Sequence, residues 1–311
     1  MPTDQRINKS LLTGAALAVL ATIIWSGNFI IARKVIHEIP PVALAFFRWL
    51  TASLIMIPIG WKQLRKDFPE IKKNMPYFFY TALTGVTLFN TFVYVAGHYS
   101  PAINLALIGT TSSPIISILL ARIFLGEKVT AMRVAGLTLC IAGILYLLSQ
   151  GSLQRLITLQ FGKGDAWVLL GAFAFAVYNI LVRKKPPTIG ASSFLLTVFW
   201  MGTLLLLPAY LVESAAAPPV VWDGYLFGVI LYLGLGTSVI SFLCWNAAIA
   251  RLGAARTALF GNLIPIFSSL EALLILQEKI TYIHIISGIL VITGLVIANI
   301  STLKVNRGIS Q

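Results

Sequence analysis

Residues 113–130, SPIISILLARIFLGEKVT, and residues 264–281, IPIFSSLEALLILQEKIT, are one passage written twice, 151 positions apart. From Pro114 to Gly143, twelve of thirty positions match their counterparts, among them Pro114 with Pro265, Glu127-Lys128 with Glu278-Lys279, Thr130 with Thr281, and Gly143 with Gly294. A slide of 150 pairs Gly14, Arg33 and Lys34 with Gly164, Arg183 and Lys184, and Pro58 with Pro208. Shared apolar composition would align Leu with Ile, but it would not align a proline together with a Glu-Lys pair. The chain therefore reads as a duplicated unit, residues 1–150 and 151–311.

The surroundings of the repeat say what solvent it lives in. Of 311 residues, 58% are hydrophobic and 11% charged, where a soluble domain carries about 25% charged residues. Runs of about 20 mostly apolar residues, enough for a helix to cross about 30 Å of hydrocarbon, occur ten times. Their limits are 11–32, 41–60, 76–97, 101–122, 131–149, 165–183, 191–212, 224–248, 255–276 and 281–302. Stretches such as LTLCIAGILYLL (137–148) do not alternate, which excludes the strands of a membrane barrel. The expected fold is an all-α integral membrane protein. Five spans per unit is an odd number, so the second unit enters the bilayer upside down, giving ten transmembrane helices as two inverted five-helix repeats. Two such halves can exchange packings so that a central cavity opens to one side and then the other.

The 23 Lys and Arg outnumber the 10 Asp and Glu, for a formal charge of +13. With the N-terminus inside, seventeen basic residues fall in cytoplasmic segments and five in outer ones, and Arg48 is left within a span. The excess reads as topology, with both termini cytoplasmic in the inner (plasma) membrane, and not as a nucleic-acid surface. Arg6 and Lys9 ahead of Ala16-Leu17-Ala18 resemble a signal peptide, but the repeat uses that first span and argues against cleavage. The longest loops, around Trp61 to Met75 and Ser149 to Gly164, are too short to be soluble domains. Cys140 and Cys244 sit in separate apolar runs and imply no disulfide. His37, His98 and His284 have no metal-ligand spacing, and no nucleophile elbow, phosphate loop or Cys-x-x-Cys is present, so neither a metal, a cofactor nor catalytic chemistry is expected.

Polar side chains at membrane depth are costly, and each needs a reason. Arg48, beside Phe46, Phe47 and Trp49, is either the partner of a substrate anion or a structural arginine bonding the carbonyls of a neighbouring helix. Glu271, six residues beyond Pro265, is the one acid well inside a span. Desolvation disfavours its ionised form, which suits a carrier of protons; a salt bridge or a place at the outer interface are the alternatives. Pro114 and Pro265 fall near the middle of the fourth and ninth spans, flanked by Thr110, Thr111 and Ser113 and by Gly261 and Asn262. A proline there kinks the helix and frees carbonyls about a turn earlier, as a hinge or a substrate site needs, or merely shapes packing.

Rings and amides recur at comparable positions: Trp25 and Asn28 in the first span, Asn90 and Tyr94 in the third, Tyr178 and Asn179 in the sixth, Trp245 and Asn246 in the eighth. Tyr94 and Trp245 are counterparts in the repeat, as are Asn28 and Asn179. Such a set can hold a small amphiphilic molecule by apolar contact and a few oriented hydrogen bonds, though Trp and Tyr also anchor at interfaces. Glu127 and Glu278 lie in turns entering the fifth and tenth spans and read as structural or gating elements. Small residues in those two spans favour close helix packing.

The first span, ATIIWSGNFIIARK (21–34), the FFRWL of the second (46–50) and the paired Pro to Glu-Lys to Gly segments resemble the EamA-type branch of the drug/metabolite transporter superfamily, in order and in both halves. The resemblance implies a ten-helix inner-membrane exporter of small metabolites, often amino acids. The second half departs from the first where Gly126 becomes Gln277, and it has no arginine matching Arg48. The expected function is secondary transport of an amino acid or related compound out of the cytoplasm, as monomer or homodimer, with protons as a candidate coupling ion. A multidrug or organic-cation exporter of the same fold is one rival, and a membrane-embedded enzyme or lipid-carrier flippase another.

Overall fold

The computed structural model describes the backbone of residues 2–35, 38–99, 102–158, 162–276 and 281–305, and side chains at all of these except 2–8, 29–34, 102–107, 110, 269, 272–276 and 300–305. Among the described residues every regular element is a helix. They are α1 (Pro2–Val35), α2 (Pro41–Lys73), α3 (Met75–Gly97), α4 (Ala102–Leu125), α5 (Ala131–Leu148), α6 (Lys163–Arg183), α7 (Ala191–Ala216) and α8 (Gly224–Leu252). After these, α9 is made of Ala254–Phe260 and Ile264–Leu276 joined by a 3-10 turn at Gly261–Leu263, and α10 is Tyr282–Val305.

Among the described residues, eight of these, all but α4 and α9, are long and apolar enough to cross a membrane. The spans expected at 101–122 and 255–276 are described in part, since side chains at 102–107, 110, 269 and 272–276 lie outside the described residues; Thr111–Leu125 is the apolar stretch described in α4, and α9 is broken by its 3-10 turn. The loop expected from Trp61 to Met75 is instead the end of α2, which continues to Lys73 because Lys, Gln, Arg and Glu there are good helix formers. The segment around Ser149 to Gly164 contains one short helix, Leu153–Ile157.

Two long pairings organise the bundle, α5 along α10 and α2 along α7, while α6 lies against α3 and α4, and α1 against α8 and α9. In the first pair a Cβ on Gly136 would lie 2.4 Å from the Gly294 carbonyl oxygen, and one on Gly143 3.0 Å from that of Ser287. Between them the Cys140 thiol donates to the Val291 carbonyl at 3.4 Å. Rising numbers in one helix meet falling numbers in the other, so the pair is antiparallel. The contacts are also reciprocal, since Gly136 meets the repeat counterpart of Gly143, and Gly143 meets the counterpart of Gly136.

The second pair behaves alike. Ser53 and Thr203 hydroxyls, 150 positions apart in sequence, meet at 3.1 Å; Phe46 stacks on Tyr210 with ring centroids 4.5 Å apart; Gly60 faces Leu196. The helix ends here are satisfied across the pair. Glu213 of α7 accepts from the amides of Val42 (3.1 Å) and Ala43 (2.7 Å), and Asp67 of α2 accepts from the Gly190 amide at 2.8 Å and from the Ser193 hydroxyl. Each carboxylate takes up first-turn N–H groups that the partner helix cannot satisfy itself.

Both α3 and α8 widen into π-helix, at Leu83–Leu88 and Tyr232–Ile240, counterpart positions in the two units. A glycine marks the first. A Cβ on Gly85 would lie 2.1 Å from the Tyr178 ring, so only glycine admits that ring. Such widened turns change which carbonyls stay inside the helix and recur at functional sites.

Candidate functional site

The second of these π segments meets α1, α2 and α3 around Arg48. The guanidinium is 1% exposed. Its Nε donates to the Ser238 hydroxyl at 2.8 Å, Nη1 to Asn90 Oδ1 and to the Tyr94 hydroxyl, each at 2.9 Å, and more weakly to Asn28 Oδ1 at 3.4 Å. Nη2 reaches the Thr237 carbonyl at 3.2 Å, and the Trp49 ring lies 5.1 Å from the guanidinium carbon. The bond to the Thr237 carbonyl is of the kind expected of a structural arginine, and the other partners are neutral side-chain oxygens. Every acceptor is neutral, and among the described residues no carboxylate stands within ion-pair distance. Asn90 accepts through Oδ1 while its buried Nδ2 has no partner among the described residues.

The Thr237 carbonyl is shared. The Trp25 indole N–H donates to it at 2.8 Å, so α1 and α2 are pinned to one point of α8. Trp25 in turn opens an aromatic cluster, 4.9 Å from Trp245 and 5.7 Å from both Phe175 and Phe242. Beyond it lies the second half's version of the site: Trp245 donates to Asn179 Oδ1 at 2.9 Å, Asn179 Nδ2 reaches Ser117 at 3.4 Å, and the Tyr178 hydroxyl donates to Asn246 Oδ1 at 2.9 Å. The buried Asn246 Nδ2 has no partner among the described residues. Val198 stands where Arg48 stands in the first half, so this side is polar but uncharged.

Glu271 lies behind α1. Its Oε1 accepts from the Ser26 hydroxyl at 2.6 Å, and its Oε2 is buried without a partner among the described residues. Among the described residues no basic group pairs with it; the Ser26 hydroxyl and the Gly27 backbone lie against it.

The remaining candidates sit elsewhere. Pro114 is buried inside an α4 whose helix runs unbroken from Ala102 to Leu125. Pro265 is the second residue of the helix that restarts after the 3-10 turn, so the break precedes the proline where a mid-helix kink is expected. Asn262, in that turn, donates to the Leu259 carbonyl of the preceding helix at 2.9 Å. Glu127 accepts from the Ala254 amide at 3.2 Å, next to Gly253 at φ 88°, and lies 3.8 Å from Arg133. The Thr110 side chain, His37, Glu278 and Lys279 lie outside the described residues. Sequence reasoning passed over Thr237, Ser238, Ser26, Tyr232, Phe175 and Phe242. The signal for the first two was the polar pair after Gly234 and Gly236 in an otherwise apolar run.

The comparisons with known proteins agree with this architecture. The model of the EamA-like transporter family matches twice, over residues 12–149 and 162–300. An Archaeoglobus fulgidus protein named "Uncharacterized transporter" is 30% identical over 89% of this chain and 94% of its own length. A Streptantibioticus cattleyicolor "Probable terminal-alkyne amino-acid exporter" is 26% identical, covering 93% and 94%. An Escherichia coli "Probable amino-acid metabolite efflux pump" is 23% identical, covering 90% and 93%. A solved crystal structure superposes with a TM-score of 0.75 at 18% identity over 98% of this chain and 99% of that one, a likeness of fold. The chain belongs to the EamA-like transporter family.

Proposed function

We propose that this protein is a secondary transporter that carries a small organic carboxylate, of the amino-acid or related metabolite class, out of the cytoplasm by alternating access, with Arg48 holding the carboxylate. Residues 1–150 and 151–311 form two inverted five-helix repeats with both termini cytoplasmic in the plasma membrane. The reciprocal contacts within α5–α10 and α2–α7 support this. A two-fold relation exchanges i with j, and one that makes its two helices antiparallel has its axis across them, in the membrane plane.

The observation that carries the substrate reading is a buried guanidinium bonded to neutral groups alone, beside an amide with a free N–H. An uncompensated charge at this depth is costly, and an arriving carboxylate relieves that cost by taking over guanidinium N–H groups now held by neutral acceptors. The adjoining rings of Trp25, Trp245 and Phe175 give the rest of the molecule an apolar wall. The same positive charge disfavours an organic cation. Amides, rings and hydroxyls hold a molecule without activating it, so the site fits a carrier and not an enzyme. The exporter names of two relatives favour outward movement.

The test is counterflow in proteoliposomes with amino acids, simple carboxylates and organic cations. Exchange confined to carboxylate-bearing compounds is expected. Exchange of organic cations that carry no carboxylate shows that Arg48 does not select the substrate.

A further inference from the structure

We infer that one proton enters Glu271 each time an anionic carboxylate settles on Arg48, so that the carboxylate and the proton travel together. The inference rests on the carboxylate reading of Arg48 and adds to it a partner ion, its direction and its stoichiometry.

The two interior charges belong to different halves, and neither has a charged counterpart: Val198 matches Arg48 and Leu120 matches Glu271. They nevertheless converge on the same two elements. On α8, the π segment presents Thr237 and Ser238 to Arg48 and Tyr232 to the Glu271 side. The Tyr232 hydroxyl donates to the Ile24 carbonyl at 2.8 Å and stands where a Cβ on Gly27 would be, with Glu271 Oε2 on the same side. On α1, Trp25 shares the Thr237 carbonyl with Arg48, and the next residue, Ser26, donates to Glu271. A single turn of α1 and one π segment therefore connect the groups.

Among the described residues, the groups facing Glu271 are few. α8 brings Tyr232, α2 brings Arg48 behind it, and the described part of α1 at this level brings the Ser26 hydroxyl. Ser268, on the carboxylate's own helix, donates to the Ser26 carbonyl at 3.2 Å. α10 opens with Tyr282, which is exposed, and with His284, whose Nδ1 meets the Thr281 hydroxyl at 2.9 Å. The described residues of α4 place no ionisable side chain beside it.

Charge counting then fixes the coupling. In the empty carrier Arg48 is positive and Glu271 negative, so the interior sums to zero although neither charge has an ionic partner within bonding distance among the described residues. A carboxylate arriving without an ammonium group to offset its charge makes the interior net negative, in a place where net charge is costly; a zwitterionic amino acid adds no net charge and calls for no proton. One proton taken up on the free Glu271 oxygen restores neutrality, and both the empty and the loaded carrier then change face without moving net charge through hydrocarbon. By linkage the reverse holds as well, so protonation of Glu271 tightens carboxylate binding. Export coupled this way runs on the substrate's own outward gradient.

The test uses the purified full chain in detergent and benzoate, a carboxylate with no amino group, in calorimetric titrations from about pH 5 to about pH 8. Repeating each titration in buffers of different ionisation heat gives the protons bound per benzoate. The expected result is an uptake that peaks near one proton, with affinity falling up to tenfold per pH unit as pH rises. In Glu271→Gln, benzoate still binds, with no proton uptake and no pH dependence. Binding without proton uptake in the parent protein overturns the coupling and leaves the Arg48 reading standing, and it needs no variant to fold. Uptake that persists in Glu271→Gln overturns the assignment to Glu271. No binding at any pH overturns the Arg48 reading, and the coupling with it.

Discussion

The indole of Trp245 donates to Asn179 Oδ1 at 2.9 Å, and in the first half the hydroxyl of its counterpart Tyr94 reaches Asn28, the counterpart of Asn179, at 3.4 Å. The same two helices of each unit are thus joined by an aromatic donor and an amide, with different chemistry at the ring. The first-half bond is longer because the Tyr94 hydroxyl and Asn28 Oδ1 are shared with Arg48. In the second half nothing charged competes. Replacing Trp245 by Phe keeps the ring but leaves a buried acceptor with less to hold it. A loss of about 1–3 kcal/mol in thermal stability is expected, read from the melting of detergent-purified protein.

Arg48→Met separates binding from architecture. If Arg48 serves a carboxylate, its removal weakens carboxylate affinity about 10- to 100-fold, the worth of a lost charge-assisted bond. Stability is expected to fall by about 1–3 kcal/mol at most, because removal of a buried charge without an ionic partner offsets part of the cost of the acceptors it leaves unbonded. A collapse of folding with the fan of five bonds would mark Arg48 as a scaffold residue. Titration and melting on the same preparation decide.

At the α5–α10 crossing two backbones touch through Gly136 and Gly294, where an added Cβ would sit 2.4–2.5 Å from the opposite carbonyl oxygen. Gly136→Val forces these helices apart and is expected to cost about 1–3 kcal/mol, the usual penalty of overpacking. A substitution at exposed Ile292 on the lipid side of α10, to Leu, leaves the melting point where it was.

The proposed opposite insertion of the two units has a direct signature. Lys128 and Tyr282 stand at nearly equivalent places in the units, both exposed, and the native Cys140 and Cys244 are buried. A cysteine at Lys128 should react with an impermeant maleimide from the cytoplasmic face, and one at Tyr282 from the outer face. Labelling of both from one face contradicts the inverted arrangement.

Glu127 ties the α4–α5 turn to the start of α9 by accepting from the Ala254 amide, and it neutralises Arg133, whose Nη1 also donates to the Lys128 carbonyl at 3.0 Å. Glu127→Ala frees one amide and leaves a mostly buried guanidinium without its acid. About 1–2 kcal/mol of stability is expected to go with the cap alone. Glu127→Gln restores the amide bond only, so its melting point falls between the two.

Much of the fold was legible because a duplicated Pro to Glu-Lys to Gly passage and an apolar background constrain a chain strongly. Helix limits were less so. Trp61 to Lys73 carries the charges of a loop yet continues α2, since charged residues with long side chains are good helix formers once a helix leaves the hydrocarbon. The 3-10 turn at Gly261–Leu263 was hidden because Pro265 draws attention to itself, while the break lies before it. Within the site, Asn28, Asn90, Tyr94 and Arg48 could be named as costly polar residues in apolar spans. That all four meet was invisible, because nothing in a sequence gives the rotation of one helix against another.

The sequence by itself determined that the chain crosses a membrane, that it is built twice, and that two charges, Arg48 and Glu271, lie inside without counterparts in the other half; composition, repetition and the cost of polarity in lipid suffice for these. Only the tertiary structure decided that, among the described residues, the arginine meets neutral groups alone and the glutamate meets a serine, and that the π segment of α8 lies between them. Those facts depend on helix rotation and crossing, which are set by packing among distant residues, such as Gly85 beneath Tyr178 and Gly136 against Gly294, and not by any local run of the chain.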